Sequence, residues 1–288
     1  MVDICCIGHI TRDKIVTPRS EKYLNGGTSF YFSHGIACLP PVSYKLVTAL
    51  GCEDMNAVEL MRNRGIEIDV LPSRHTVFFE NCYGENMNNR KQRVLAKADP
   101  FKVKDLLDID AKIIHLGSLL ADDFGPKVIE YLSNKSVLSV DAQGFLRYVD
   151  GEKVYPCNWN NKEKVLSYVD ILKVNEHEIE TLTGNSDLKI AAKIIAKWGV
   201  KEVVITLGSY GSVIYRDGKF YEIPAYMPKE LVDATGCGDT YSAGYLYMRN
   251  KDADIEEAGK FAAAMSTIKL EKFGPFSGTI EDIEKIIR

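Results

Sequence analysis

Residues 231–247 read LVDATGCGDTYSAGYLY, with three small residues, Gly236, Cys237 and Gly238, set directly against Asp239 and a helix-compatible run behind them. Gly236 and Gly238 let the chain turn tightly and bring backbone amides close to an anion, and Asp239 falls in the first helical turn, facing the same point. A parallel α/β protein has such loops at the carboxyl ends of its strands, where helix N-termini offer unpaired N–H groups and the positive end of the dipole. Two readings fit the stretch by itself. It is a phosphoryl-binding loop in which Asp239 accepts the proton of an attacking hydroxyl, or it is a tight turn before a capped helix in which Asp239 only opposes the dipole. Phosphoryl transfer asks chiefly for positioning, charge neutralisation and a proton acceptor. On the first reading the Asp239 pKa need not be raised much.

Outward from this stretch, short apolar runs alternate with segments of helical period. ICCIG (4–8), KLVTALG (45–51), KIIHLGS (112–118), SVLSVDAQG (136–144), DILKVN (170–175) and EVVITLGSYGSVIY (202–215) read as strands. DMNAVELMRNRG (54–65), DDFGPKVIEYLSN (122–134), DLKIAAKIIAKWG (187–199) and DIEEAGKFAAAMSTIKLEKFG (254–274) read as helices that begin near Asp and end near Gly or Asn. Continuous apolar strands spaced by helices predict a doubly wound α/β fold, with a mostly parallel sheet flanked by helices. RHTVFFENCYGENMNNRKQRVLAKADP (74–100) pairs two strand-like arms around a Gly/Asn-rich turn and predicts a small β-hairpin projecting from the sheet. With Phe78, Phe79 and Tyr83 beside Arg90, Lys91 and Arg93 it serves as a lid, a homodimer surface or an edge hairpin. No repeat, low-complexity tract or linker appears, so residues 1–288 are expected to form one domain, with lid elements at approximately 10–24 and 74–98 inserted in it.

Of 288 residues, 45% are hydrophobic and 26% charged, which suits one large α/β domain, and a net charge of −4 without a Lys/Arg run gives nucleic acid or a membrane surface no electrostatic hold. Small molecules are the expected partners. Seven cysteines without a CxxC pair read as reduced thiols, neither a disulfide framework nor a zinc site. The opening MVDICCIGHI reads as a first strand, not a signal peptide, and no apolar stretch approaches membrane-spanning length. A cytoplasmic protein is expected. The chain contains neither the G-x-x-x-x-G-K-[ST] of a P-loop nor the G-x-G-x-x-G of a dinucleotide fold at its glycine-rich turns.

Asp233, Ala234, Thr235, Gly236, Cys237, Gly238 and Asp239, in that order, resemble the C-terminal signature D-T-x-G-A-G-D of the ribokinase-like, or PfkB, carbohydrate kinases. Ala234 replaces the usual Thr, which bears on a nearby cation loop, and Cys237 replaces the usual Ala, which leaves its backbone amide in place. The resemblance covers nearly the whole chain, with motifs in family order. It implies a kinase that moves the γ-phosphoryl group of ATP to a polyol hydroxyl with Mg²⁺, and it leaves a monovalent cation such as K⁺ open. The amides of Gly236, Cys237 and Gly238 are then expected to hold the phosphoryl oxygens, Asp239 to act as base, and Asp233 and Thr235 to lie on the nucleotide side.

ILKVNEHEIETLTG (171–184) places Asn175 and Glu178 just past a buried strand, one turn apart on the helix that follows, which suits Mg²⁺ held partly through water. An Asn cap with an exposed helix Glu is the other reading. The family's N-x-x-E motif falls here and implies that both residues help hold Mg²⁺ and the nucleotide phosphates. In VVITLGSYGSVIY (203–215), Thr206, Gly208 and Gly211 sit at a bend between two strands, a turn that needs no ligand; in the resembled family it lies beside the nucleotide. GKFAAAMSTIKLEKFG (259–274) is either an ordinary packed helix or one that sets Ala263 and Thr267 near adenine.

In IGHITRD (7–13), Asp13 follows a strand end and is suited to accept two neighbouring hydroxyls, or it is an Asp in a surface turn; the resemblance implies sugar binding. NGGTSFYFSHGIACL (25–39) resembles the family's first signature, with Gly26 and Gly27 allowing close approach of substrate. Ribokinases continue G-G-K-G-A-N, whereas this chain reads Gly26, Gly27, Thr28, Ser29, Phe30, Tyr31. The sugar-binding Asn is missing. Either a ring such as a cyclitol, an apolar-faced sugar or a nucleoside lies against Tyr31 or Phe32, or these aromatics are core. SVDAQGFLR (139–147) is similar to members near the inositol kinases and offers Gln143 and Arg147 to the cleft. A sugar or cyclitol kinase is the expectation; a nucleoside kinase and a noncatalytic nucleotide-binding regulator are the alternatives.

Overall fold

The computed structural model of the chain describes residues 1–83 and 90–288. The strands are β1 (Val2–Gly8), β2 (Thr11–Thr17), β3 (Ser20–Gly26), β4 (Tyr44–Leu50), β5 (Glu67–Pro72), β6 (Val77–Tyr83), β7 (Arg90–Ala96), β8 (Ala111–Gly117), β9 (Val137–Asp141), β10 (Arg147–Asp150), β11 (Lys153–Pro156), β12 (Ile171–Asn175), β13 (Glu202–Thr206), β14 (Ser212–Arg216) and β15 (Lys219–Ile223). The helices are α1 (Thr28–Ala37), α2 (Met55–Arg62), α3 (Pro126–Ser133), α4 (Lys162–Leu166), α5 (Glu176–Thr183), α6 (Leu188–Lys197), α7 (Cys237–Asn250), α8 (Ile255–Leu270) and α9 (Ile280–Ile287).

Among the described residues the main sheet runs β15-β14-β13-β12-β9-β8-β1-β4-β5, parallel from β13 to β5 and antiparallel at β14 and β15. Side chains alternate across its faces: in β1, Ile4 and Cys6 join one core with α1, α2, α7, α8 and α9, and Cys5 and Ile7 join the other with α3, α4, α5 and α6. Both faces are therefore covered, and the strands read as unbroken apolar runs for that reason. Each fully buried Val, Leu or Ile contributes about 1.5–3 kcal/mol of transfer free energy. The fold is the doubly wound, helix-flanked α/β fold that the sequence predicts.

The expected small hairpin is part of something larger. β6 and β7 belong to a second sheet, β10-β11-β7-β6-β2-β3, which adds residues 147–156 to the segments expected at 10–24 and 74–98. The hairpin's turn, residues 84–89, lies outside the described residues. This second sheet packs Val77, Phe79 and Val94 onto Leu119 and Leu120, just beyond the end of β8, and so stands over one end of the main sheet. One helix start also differs. α3 begins at Gly125 and Pro126, because Asp123 turns back to accept from the amides of Leu119 at 2.7 Å and Leu120 at 3.0 Å. All seven cysteines are thiols, and no helix among the described residues is long and apolar enough to cross a membrane.

Candidate active site

Strand register brings the ends of the central strands together: Gly8 pairs with Gly117, Gly117 with Asp141, and Asn175 with Thr206. α7 packs against α1 and reaches β1 and β8. Its N-terminus meets that edge, since a Cβ on Gly238 would stand 2.9 Å from Lys173 Nζ on β12.

Gly236 caps α7 with φ 76° and has the Tyr31 ring directly above it, where an added Cβ would lie 2.2 Å from Tyr31 Cγ. Both the left-handed backbone and the ring contact require glycine. The loop ahead is held by its own polar groups: Thr235 N donates to Asp233 Oδ1 at 2.9 Å, and Ser266 Oγ donates to Cys237 O at 3.1 Å. One of the three expected anion-binding amides is engaged elsewhere, because Cys237 N closes a turn onto Ala234 O at 3.2 Å. The open N-terminal amides of α7 are then those of Gly238 and Asp239, beside Gly236.

Asp239 is partly exposed in the cleft and accepts a hydrogen bond from Thr28. Burial, joined by the negative charges of Asp141 and Glu178, pushes its pKa up to about 7 against the pull of the Lys173 ammonium. This exceeds the small shift the sequence reading asks for, because that reading contained neither Asp141 nor the depth of the site. Lys173 Nζ lies 3.0 Å from Asp141 Oδ2, and both side chains are buried. Burial works against the Lys173 ammonium, but the three carboxylates of Asp141, Glu178 and Asp239 outweigh it and raise its pKa.

Asn175 and Glu178 form a reciprocal capping box. Asn175 Oδ1 accepts from the amides of His177 at 2.9 Å and Glu178 at 2.8 Å, and Asn175 N donates to Glu178 Oε2 at 2.9 Å. Glu178 is half-buried, and burial raises its pKa. Among the described residues no cluster of three acidic, His or Cys side chains forms a metal cage. Asn175 and Glu178, with Asp141 and Asp239 acting on the same ammonium, are the oxygen donors that would suit a hydrated Mg²⁺.

Thr206 ends β13 with its hydroxyl donating to Val174 O at 3.4 Å, and Gly208 and Gly211 shape the next turn. Ala263 and Thr267 are 7% and 4% exposed, and Thr267 Oγ1 donates to Ala263 O at 3.0 Å and Tyr226 O at 3.3 Å. Both are buried between α8 and the segment around Tyr226.

On the acceptor side, Thr11 Oγ1 donates to Asp13 Oδ1 at 2.7 Å. Gly26 lies against the same carboxylate, where a Cβ would stand 2.5 Å from Asp13 Oδ2, and Gly27 takes φ 93°. Tyr31 is 8% exposed and its ring packs edge-on to Phe30, while Phe32 is fully buried and stacked on His115. Neither ring is an open platform. The Tyr31 hydroxyl still faces the site: burial, then the charges of Asp233, Asp13 and Asp239, push its pKa up. Gln143 N donates to Asp141 Oδ1 at 3.0 Å, and the positive charge of Arg147 acts on Glu178.

Lys173, Asp141, Thr28 and Lys269 escaped the sequence reading. The signal for Lys173 is a lone lysine inside the apolar strand ILKVN, which a buried strand tolerates only with a partner.

Residues 152–282 match the family model described as pfkB family carbohydrate kinase. A pyrophosphate-dependent kinase in the ribokinase family, solved with a pyrophosphate analogue and myo-inositol, is 35% identical, with a TM-score of 0.88 over 98% of this chain and 100% of that one. Cytidine kinase of Thermococcus kodakarensis is 28% identical over 97% of this chain and 100% of its own length. Nucleoside kinase of Methanocaldococcus jannaschii is 24% identical over 95% and 92%. With one fold and more than a third of its residues in common with a ribokinase-family member along nearly its entire length, the chain belongs to the PfkB, or ribokinase, family of kinases.

Proposed function

We propose that the chain phosphorylates a hydroxyl of a small sugar or cyclitol. The observation that carries this reading is Asp239, a carboxylate with a pKa near 7 at the open amides of α7. It removes the proton of the attacking hydroxyl, while the amides of Gly238 and Asp239 beside Gly236 bind the phosphoryl oxygens. Lys173 neutralises charge from below, and Asp13 orients the acceptor through its neighbouring hydroxyls. Asn175 and Glu178 would help hold Mg²⁺, which would supply charge neutralisation on the donor phosphates. The second sheet closes over the cleft and excludes water as a competing nucleophile.

The donor is ATP or inorganic pyrophosphate, and one observation favours the latter. Ala263 and Thr267, the positions that an adenine is expected to meet, are buried, and Thr267 Oγ1 is already engaged in donating to Tyr226 O. The 35% identical relative described as pyrophosphate-dependent agrees with that. A nucleoside acceptor is the second reading, supported by the cytidine and nucleoside kinases above. Against it, Tyr31 and Phe32 offer no open face to a base.

A two-way screen tests all of this, with ATP and pyrophosphate against pentoses, hexoses, inositols and nucleosides, and product identified by mass. Turnover on an inositol or sugar that vanishes in Asp239→Asn supports the reading. Turnover confined to nucleosides replaces the acceptor, and no acceptor-dependent turnover removes the enzyme assignment.

A further inference from the structure

The loop that ends at Gly236 is fastened to the last turn of α8. Val232 N donates to Leu270 O at 2.8 Å, and Asp233 N to the same oxygen at 3.2 Å. Within this junction the Lys269 side chain is wholly buried. Its ammonium lies 2.8 Å from Asp233 O, 2.9 Å from Asp233 Oδ2 and 3.5 Å from Lys272 O. A carboxylate and two main-chain carbonyls at the negative end of a helix make an oxygen cage that suits a monovalent cation. Here the chain fills it with its own side chain, so K⁺, which the family resemblance leaves open, does not fit.

A fully buried lysine needs acceptors in place, and this one has them on the very residue whose other carboxylate oxygen receives Thr235 N. The ammonium therefore fixes the loop's position through Asp233, three residues ahead of the Gly236 cap of α7. We infer that Lys269 is a positioning residue, the built-in cation of the anion loop, and that phosphoryl transfer by this chain requires no monovalent metal ion. The inference rests on the kinase reading above. It adds to that reading the statement of which group organises the loop.

Two measurements test it. Wild-type turnover is followed in a choline buffer free of Na⁺, K⁺ and NH₄⁺, and each ion is then added; the rate is expected to stay within about twofold. Lys269→Ala, with folding checked by circular dichroism, is expected to lose about 10²-fold in kcat/KM through displacement of the loop. NH₄⁺, methylammonium or K⁺ is expected to restore part of that loss saturably, and Lys269→Met, which fills the space without charge, is expected to show no rescue. A wild type silent without K⁺, a Lys269→Ala variant of full activity, or a folded one that no cation rescues, overturns the inference. Should Lys269→Ala fail to fold, the wild-type titration decides by itself. If the wild type transfers no phosphoryl group under any cation, the kinase reading has failed instead. Calorimetry with pyrophosphate then decides: cation-independent binding in wild type and cation-dependent binding in Lys269→Ala sustains the loop's role, and any other pattern ends it.

Discussion

Lys173 Nζ and Asp141 Oδ2 stand 3.0 Å apart, both buried, on neighbouring parallel strands. The pair shapes the behaviour of Asp239, because Asp141 raises and Lys173 lowers its pKa. Removing the ammonium alone leaves uncompensated carboxylates, and breaking a buried pair typically costs about 3–5 kcal/mol. Lys173→Met is therefore expected to be strongly destabilised in urea, and Lys173→Met with Asp141→Asn to recover most of the loss. The activity of the double variant is expected to stay low, since the Lys173 ammonium that neutralises charge beside Gly238 is gone. Full activity in the double variant would show that the pair serves the fold alone.

The free enzyme must lose the Asp239 proton before the residue can act as base. With a pKa raised to about 7, kcat/KM is expected to climb through neutral pH, falling about tenfold per unit on the acid side. In Asp239→Asn turnover is expected to drop by about 10³-fold or more, and the acid limb to disappear, while donor binding by calorimetry persists. A limb that survives the substitution would belong to another group.

Gly236 and Gly208 form an internal comparison. Both adopt positive φ, 76° and 54°, yet a Cβ at Gly236 meets the Tyr31 ring at 2.2 Å, whereas among the described residues nothing beyond the chain neighbours lies within 4 Å of one at Gly208. Alanine at Gly208 is expected to cost about 1–2 kcal/mol, the backbone strain by itself. At Gly236 the same strain combines with overpacking worth about 1–3 kcal/mol, for about 2–5 kcal/mol in all. Equal losses in chemical denaturation would show that the ring yields freely.

The parts legible in the sequence were those written in local chemistry. Apolar runs such as ICCIG become doubly buried strands, Asp187 and Asp254 cap α6 and α8, and Gly236 turns the chain into α7. The parts missed depend on contacts between distant segments. β3 exposes most of its residues and carries no alternation, so its place in the second sheet follows only from pairing with β2. Lys173 gains meaning from Asp141, 32 positions earlier, and Lys269 from Asp233, 36 earlier. Tyr31 looks like a ligand platform until Gly236 packs against its ring.

Asp239 also has a consequence for stability, opposite in sign to that of a salt-bridged acid. Its folded pKa of about 7 lies above the ordinary aspartate value of 3.8, so between those values the folded state holds a proton that the unfolded state has released. Stability is then greatest near and below pH 4, as far as this group is concerned, and is lost as pH rises to 7. Because the residue is partly exposed, solvent screens the effect and about 1–2 kcal/mol is expected. Asp239→Asn is permanently neutral and should avoid that loss. It is expected to melt above wild type at pH 8 and together with it at pH 4, measured by calorimetric scans at the two pH values. A variant less stable than wild type at pH 8 would mean that the carboxylate is held by favourable contacts, with Thr28 and Lys173 outweighing burial, and that its pKa is not raised.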